Sequence, residues 1–321
     1  MNAKSSSNFS DSMALDALDP AESEMHARRL TMYSVNALRV AAGIEKIYVN
    51  HTAFAAGLRS LDRLFQLGTE LSTPNGIRLI GPPGSGKTVL FQFFRDSLPR
   101  SSLFANSMGA IGLRVPKRPS SGLFVRELLR QLRYPFAGGS YKQLYERRHL
   151  VFEALRSNGT RLVWLDEAHH LLNKHSTKVL ELEEHESIEF FRELMDECRV
   201  SLVLAGSSEL DNLKSVAPHF CSRVAGRETL DPFAADVNWL GFLRAFAGQS
   251  VVFNVGLIAD NAFGTLLHMA TNGNLRTFKQ LIVEAVLVAH DKADLALKRE
   301  SFQQAFGLVF GQGSLRSNPF A

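Results

Sequence analysis

Residues 81–88 read Gly81-Pro82-Pro83-Gly84-Ser85-Gly86-Lys87-Thr88, the phosphate-cradling pattern G-x-x-x-x-G-K-[ST] without a mismatch. Its chemistry is the binding of a nucleoside triphosphate with Mg2+. The glycines let backbone N–H groups turn inward onto phosphate oxygens. The helix that follows, opening through Val89, adds the partial positive charge of its N-terminus. Lys87 is expected to reach the β- and γ-phosphates and the Thr88 hydroxyl to ligate Mg2+. The flanks suit this: Gly76-Ile77-Arg78-Leu79-Ile80 reads as a buried strand, and Val89 to Phe94 as a helix that buries Leu90, Phe93 and Phe94.

Further groups can complete the chemistry. Leu162-Val163-Trp164-Leu165 is an apolar strand that ends in Asp166-Glu167. Asp166 would hold Mg2+, and Glu167 would orient and deprotonate an attacking water. The next strand closes in Ala205-Gly206-Ser207-Ser208, where a hydroxyl would lie beside those acids. Ser207 is the first choice and Ser208 the second; the competing reading of Ser207 is a helix N-cap. Arg223, the first choice, placed before the fifth strand, or Arg227, the second, at its start, would project into a neighbouring subunit's site in a ring or filament ATPase, or form a surface salt bridge. Arg276, at the start of a later helix, would fold back onto the phosphates, or be a solvated helix charge.

These residues need a parallel sheet to bring them together. Strands are expected at 77–80, 110–115, 161–166, 200–206 and about 227–230, with helices near 87–97, 122–133, 141–157, 186–197 and 208–214. Apolar strands alternating with helices imply an α/β fold with a parallel sheet covered on both faces, and a ligand at the carboxyl ends of its strands. The expected organisation is a disordered acidic segment over 1–25, a helical lead-in over 26–75, a P-loop α/β core over 76–232, a small all-helical lid over 233–310 and a loose tail over 311–321. In the lead-in, Ala53, Leu58, Leu61, Leu64 and Phe65 recur at helical spacing; in the lid, helices are expected at 261–270, 274–290 and 299–308.

Composition fits this frame. The chain has 321 residues, 45% hydrophobic and 21% charged, as in an ordinary globular protein. No apolar stretch approaches the roughly 20 residues of a membrane span. The polar N-terminus lacks a signal core, and Cys198 and Cys221 have no metal-site spacing, so a cytoplasmic protein with reduced thiols is expected. His169, His170 and His175 do not make up a complete ligand set by spacing. Net charge is +4, but residues 1–26 carry −4, which leaves +8 on the remainder. That excess permits contact with nucleic acid. Arg114, Lys117 and Arg118 form one basic cluster after the second strand, and Lys174 with Lys178 a second; either would bind phosphates with steep salt dependence, the competing reading of each residue being a solvated loop charge.

Taken in order, the loop, the acid pair, the hydroxyl, the arginine and the helical lid resemble the AAA+ ATPases over about residues 30–308. Within them the chain is most similar to the transposition regulators TniB, TnsC and MuB, and to TniB above all. The likeness rests on Tyr48-Val49 with the 53–67 helix, Val115-Pro116, Leu165-Asp166-Glu167-Ala168-His169-His170-Leu171-Leu172, and Ala205-Gly206-Ser207-Ser208-Glu209-Leu210 followed by Ser222-Arg223. The chain departs from that pattern in its Pro-Pro-Gly-Ser loop and in Ser207 where Thr is usual. The resemblance implies an ATP-dependent, double-stranded-DNA-binding protein that assembles into a ring or helical filament. It would mark a target, answer to a targeting adaptor and recruit or activate a transposase, with ATP acting as a switch. Asp166-Glu167-Ala168-His169 also spells a helicase box, but such helicases need two sheet domains and this chain has room for one. An initiator or clamp-loader-like ATPase would share every catalytic residue named. A binding-only scaffold could dispense with Glu167.

Overall fold

The computed structural model describes residues 33–68, 70, 74–98, 109–134, 140–172, 178–311 and 317–321. The acidic segment 1–25, Lys174 and His175 lie outside them.

Among the described residues two helices precede the sheet, α1 (Val35–Glu45) and α2 (Thr52–Leu67). Then β1 (Gly76–Ile80), α3 (Lys87–Ser97), β2 (Ala110–Arg114), α4 (Ser121–Gln131), α5 (Tyr141–Glu146), α6 (Arg148–Ser157) and β3 (Leu162–Asp166) follow. A 3-10 turn over Ala168–Leu172 leads to α7 (Lys178–Cys198) and β4 (Ser201–Gly206). After a second such turn, Ser208–Asn212, come α8 (Leu213–Val216), α9 (Pro218–Arg223) and β5 (Gly226–Thr229). The helical region holds α10 (Val237–Gln249), α11 (Asn261–Thr271), α12 (Leu275–Asp291) and α13 (Arg299–Phe310).

The described strands form one five-stranded sheet in the order β2-β3-β4-β1-β5, every pair parallel. Alternation along the strands sorts two faces. Ile111, Leu113, Val163, Leu165, Leu202 and Leu204 pack under α4, α6 and α7. Ala110, Leu162, Trp164, Val203 and Ala205 pack under α2 and α3. With both faces covered, β1 to β4 read as apolar runs, which is why the sequence placed them to within a residue or so; β5, at the edge, is polar and partly exposed.

The α3 face differs from the expectation. Leu90 and Phe94 are buried as expected, but the third buried residue is Phe91, while Phe93 is 37% exposed. Phe91 lies over Gly112, where a Cβ would come within 2.3 Å of its ring, and stacks on Trp164 at 5.0 Å. The missing side chain at 112 makes the room that turns the helix's apolar stripe. The expected single helix over 141–157 is broken between Glu146 and Arg148, and the one expected at 186–197 begins earlier, at Lys178.

The lid shares its core with both ends of the described chain. Ile44, Ile47 and Val49 from the lead-in pack with Trp239, Phe246, Phe278 and Phe302, and so does Phe320. Phe320 is buried against Phe263 and Phe302, at 5.5 and 5.4 Å. Arg299 donates to the carbonyls of Phe320 and Ala321. Residues 317–321 are therefore docked rather than loose, because an aromatic anchor and a fixed arginine hold them. The lead-in is likewise divided: α1 lies on α12, and α2 on the sheet. Among the described residues no helix is long and apolar enough to cross a membrane.

Candidate nucleotide site

The loop from Gly81 to Gly86 leaves β1 between its neighbours β4 and β5 and enters α3 directly. Gly84 and Gly86 take φ of 82° and 99°, the left-handed region that a glycine adopts at no steric cost. A Cβ at Gly81 would fall 2.3 Å from the Leu230 carbonyl oxygen, so the loop passes too close to the end of β5 for any side chain. Lys87 Nζ donates to the loop's own carbonyls, Gly81 O at 2.5 Å and Pro82 O at 3.0 Å. Burial lowers its pKa, opposed by Asp166 and Glu167 and reinforced by Arg276. The Ser85 hydroxyl is buried without a partner. A cradle that curls around an ammonium and keeps an unsatisfied hydroxyl fits an anionic ligand.

Opposite the loop, β3 delivers its acids. Thr88 Oγ1 donates to Asp166 Oδ2 at 2.8 Å, so the two groups expected to hold Mg2+ meet. Both offer hard oxygen donors, as that ion requires. Asp166 Oδ1 accepts the Glu167 N–H at 3.0 Å, and Glu167 sits at φ 54°. A non-glycine residue at positive φ is strained, and here the strain sets the Glu167 carboxylate beside the turn that follows. Glu167 Oε2 lies 3.6 Å from His169 Nδ1, which also receives the Ser207 N–H at 3.4 Å. Glu167, His169 and His170 each bring a donor atom within 4.8 Å of the others, one short of a closed tetrahedral set.

Ser207 N-caps the turn after β4 by position, yet its side chain makes no capping hydrogen bond. Its hydroxyl is buried and unpartnered, whereas Ser208 is exposed. That favours Ser207 as the hydroxyl free for a ligand.

The lid completes the enclosure. Asn274 Nδ2 donates to Pro83 O at 2.9 Å, and the Arg276 N–H donates to Gly84 O at 3.1 Å. Asn274 Oδ1 meanwhile caps α12, accepting from the N–H groups of Arg276 and Thr277. The backbone of Arg276 thus lies against the loop at Gly84. Two residues were not assigned roles from sequence. Asn274 carried the signal of an N-cap before an apolar helix; His169 carried none beyond its place after the acid pair.

Arg223 and Arg227 stand apart from this group. Arg223 pairs in two-pronged fashion with Asp196 on α7, at 2.6 and 3.3 Å, and Arg227 with Asp211, at 2.9 and 3.1 Å. Arg227 holds the Asp211 carboxyl below its usual range by hydrogen bonding. Arg114, Lys117 and Arg118 are exposed at the carboxyl end of the sheet, where the Val115 N–H donates to Asp166 O at 2.8 Å.

Comparison with solved structures finds the same fold. The Aeropyrum pernix ORC2 protein, solved as ADPNP-ADP complexes, is 14% identical with a TM-score of 0.60, over 85% of this chain and 72% of that one. The Aeropyrum pernix ORC1 protein in complex with DNA is 20% identical with a TM-score of 0.57, over 82% and 66%. Cdc6p from Pyrobaculum aerophilum is 18% identical with a TM-score of 0.55, over 82% and 69%. At such identities the likeness establishes the fold alone, a P-loop α/β core with a C-terminal helical region. No curated protein matches in sequence. The family described as Bacterial TniB protein matches residues 39–231, which takes in the loop, both acids, Ser207 and Arg223. On that match, over more than half of its length, the chain belongs to the bacterial TniB protein family.

Proposed function

We propose that this chain is an ATP-dependent, DNA-binding regulator of transposition that assembles on target DNA, hydrolyses ATP and recruits or activates a transposase. The observation that carries the reading is the meeting of Thr88 with Asp166 above a complete phosphate cradle, in a chain of the TniB family.

In this reading the loop N–H groups, Ser85, Lys87 and Arg276 bind the triphosphate. Lys87 exchanges its two carbonyl partners for phosphate oxygens. Thr88 and Asp166 would hold Mg2+, which would neutralise charge on the phosphates. Glu167 takes the proton of the attacking water as its oxygen bonds to the γ-phosphorus and the bond to the β-phosphate oxygen breaks. Ser207 steadies the γ-phosphate or the water. Arg223 acts in the neighbouring subunit's site, after leaving Asp196; arginines so placed are worth about 10³–10⁵ in rate. Arg114, Lys117 and Arg118 meet DNA phosphates, which gives affinity with little sequence choice.

Mass photometry with duplex DNA tests this, comparing no nucleotide, ADP and a non-hydrolysable ATP analogue. Large assemblies that need both the analogue and DNA are expected; a monomer in every condition would overturn the shared site and the transposition reading together. A second reading, an initiator-like ATPase of replication or repair, draws on the ORC fold likeness alone. Stimulation of a cognate transposase by the assembled protein separates the two.

A further inference from the structure

Glu167 and Ser207 follow adjacent parallel strands, and one imidazole stands between them. The turn over Ala168–Leu172 lays the His169 ring against the end of β4. A Cβ at Gly206 would fall 3.0 Å from His169 Nδ1 and 3.2 Å from its backbone nitrogen, so the bare glycine makes the seat for this ring. His169 is 14% exposed, and its other side faces the His170 ring at 4.3 Å. Its Nδ1 lies 3.4 Å from the Ser207 nitrogen and 3.6 Å from Glu167 Oε2.

The two neighbours make opposite demands on that nitrogen. A backbone N–H needs a lone pair, and a carboxylate needs an N–H. A neutral imidazole offers one or the other at Nδ1, never both. We propose that His169 is a positioning residue that makes the orientation of Glu167 depend on the position of Ser207. This rests on the reading of Glu167 as the base.

While Nδ1 accepts from Ser207, the ring carries its proton on Nε2 and turns a lone pair toward Glu167, so the carboxylate is not held. The Ser207 hydroxyl, buried and unpartnered, is the group a γ-phosphate would engage. When that engagement draws the Ser207 N–H away, the ring moves to its other tautomer. Nδ1–H then fixes one oxygen of Glu167 and leaves the second for water. The base is thus oriented only when a γ-phosphate is present, which suits an ATP switch that must not idle.

Three variants of the full chain test this. Asparagine places its amide where Nδ1 stands, glutamine where Nε2 stands, and phenylalanine keeps the ring without nitrogens. His169→Phe and His169→Gln are expected to lower kcat by about tenfold or more, and His169→Asn to stay within about threefold of wild type. Affinity for a fluorescent ATP analogue should be unchanged in all three. Retained turnover in His169→Phe, or an asparagine variant no better than phenylalanine, would overturn the role. A readout independent of turnover is NMR of nitrogen-labelled histidine, with His169 assigned by its loss in His169→Asn. The Nε2–H tautomer is expected without nucleotide, and a shift toward Nδ1–H with the non-hydrolysable analogue. The Nδ1–H form before nucleotide, or no change on adding it, contradicts the inference. Glu167→Gln is the control. Full turnover in that variant removes the base and this inference with it; lost turnover there beside retained turnover in His169→Phe removes His169 alone.

Discussion

Asn274 Nδ2 donates a 2.9 Å hydrogen bond to the carbonyl of Pro83, across 191 residues of sequence, and so joins the first turn of a lid helix to the phosphate loop. The same side chain caps that helix through Oδ1. One amide therefore both starts α12 and sets how the lid sits over the loop. A Cβ at Gly84 would fall 2.5 Å from Asn274 Oδ1, so the approach is as close as backbone allows.

Removing the amide should separate these two tasks. Asn274→Ala loses the cap and the bridge, and is expected to cost about 0.5–2 kcal/mol of stability. Asn274→Asp keeps the capping oxygen, so its melting temperature should stay near wild type. It lacks the donor to Pro83 and brings a carboxylate to a phosphate site, so nucleotide affinity should fall further than in the alanine variant. Thermal melts and nucleotide titrations read the two effects; wild-type nucleotide affinity in the alanine variant would mean that the bridge does not shape the site.

The pairing of Arg223 with Asp196 carries a second expectation. The pair is partly exposed, so it adds little to stability, under about 1 kcal/mol. If Arg223 serves a neighbouring subunit, Asp196 competes for it. Asp196→Asn should then raise ATP turnover by about two- to fivefold at protein concentrations where assembly is incomplete, with little change in melting temperature. Unchanged turnover across that range would show that the pair does not restrain the arginine.

Sequence and structure part company where tertiary contact decides. The four strands β1 to β4 were legible because each is a mostly apolar, buried run, and the loop because its backbone chemistry is local; β5, Gly-Arg-Glu-Thr, is a polar edge strand. The face that α3 buries was not, since it depends on Gly112 in another strand leaving room for Phe91. Nor was the docking of Phe320, in a Gly- and Ser-rich stretch whose local composition says nothing of the aromatic pocket between Phe263 and Phe302. Ser207 could be read from its place, but choosing between cap and ligand group needed the sight of its unpartnered hydroxyl. His169 gave no signal because its partners are made by a turn and by the glycine at 206.

Lys279 fixes the connector between α1 and α2 to the lid. Its ammonium donates to the carbonyls of Glu45 and of Ile47, the latter at 2.6 Å, and lies 5.1 Å from the Tyr48 ring centre. Tyr48 in turn packs edge-on to Phe93 of α3, at 6.0 Å. Lys279→Met keeps the stem and leaves both carbonyls without their donor, which should cost about 1–3 kcal/mol. Denaturant unfolding measures it. Because Lys279 holds the connector that carries Tyr48 against the phosphate-loop helix, proteolysis near residue 48 should also quicken; an unchanged cleavage rate would limit the effect to the lid.

His51 supplies a pH dependence whose sign can be worked out. Its ring packs against Phe233 at 4.8 Å and Phe242 at 6.1 Å, and its Nδ1 accepts the Phe54 N–H as the N-cap of α2. Burial pushes its pKa from 6.5 down to about 4. A neutral ring is what the cap needs, since a protonated Nδ1 cannot accept. The unfolded chain binds this proton near pH 6.5 and the folded chain only near 4, so across that window the unfolded state holds more protons. Stability from His51 is therefore complete above about pH 6.5 and falls as the pH drops toward 4. His51→Asn retains a capping oxygen and cannot titrate. Its melting temperature should change less between those pH values than that of the wild type, so that the gap between the two proteins closes or reverses at the acid end. Parallel curves would mean that His51 is not held neutral by the aromatic cluster.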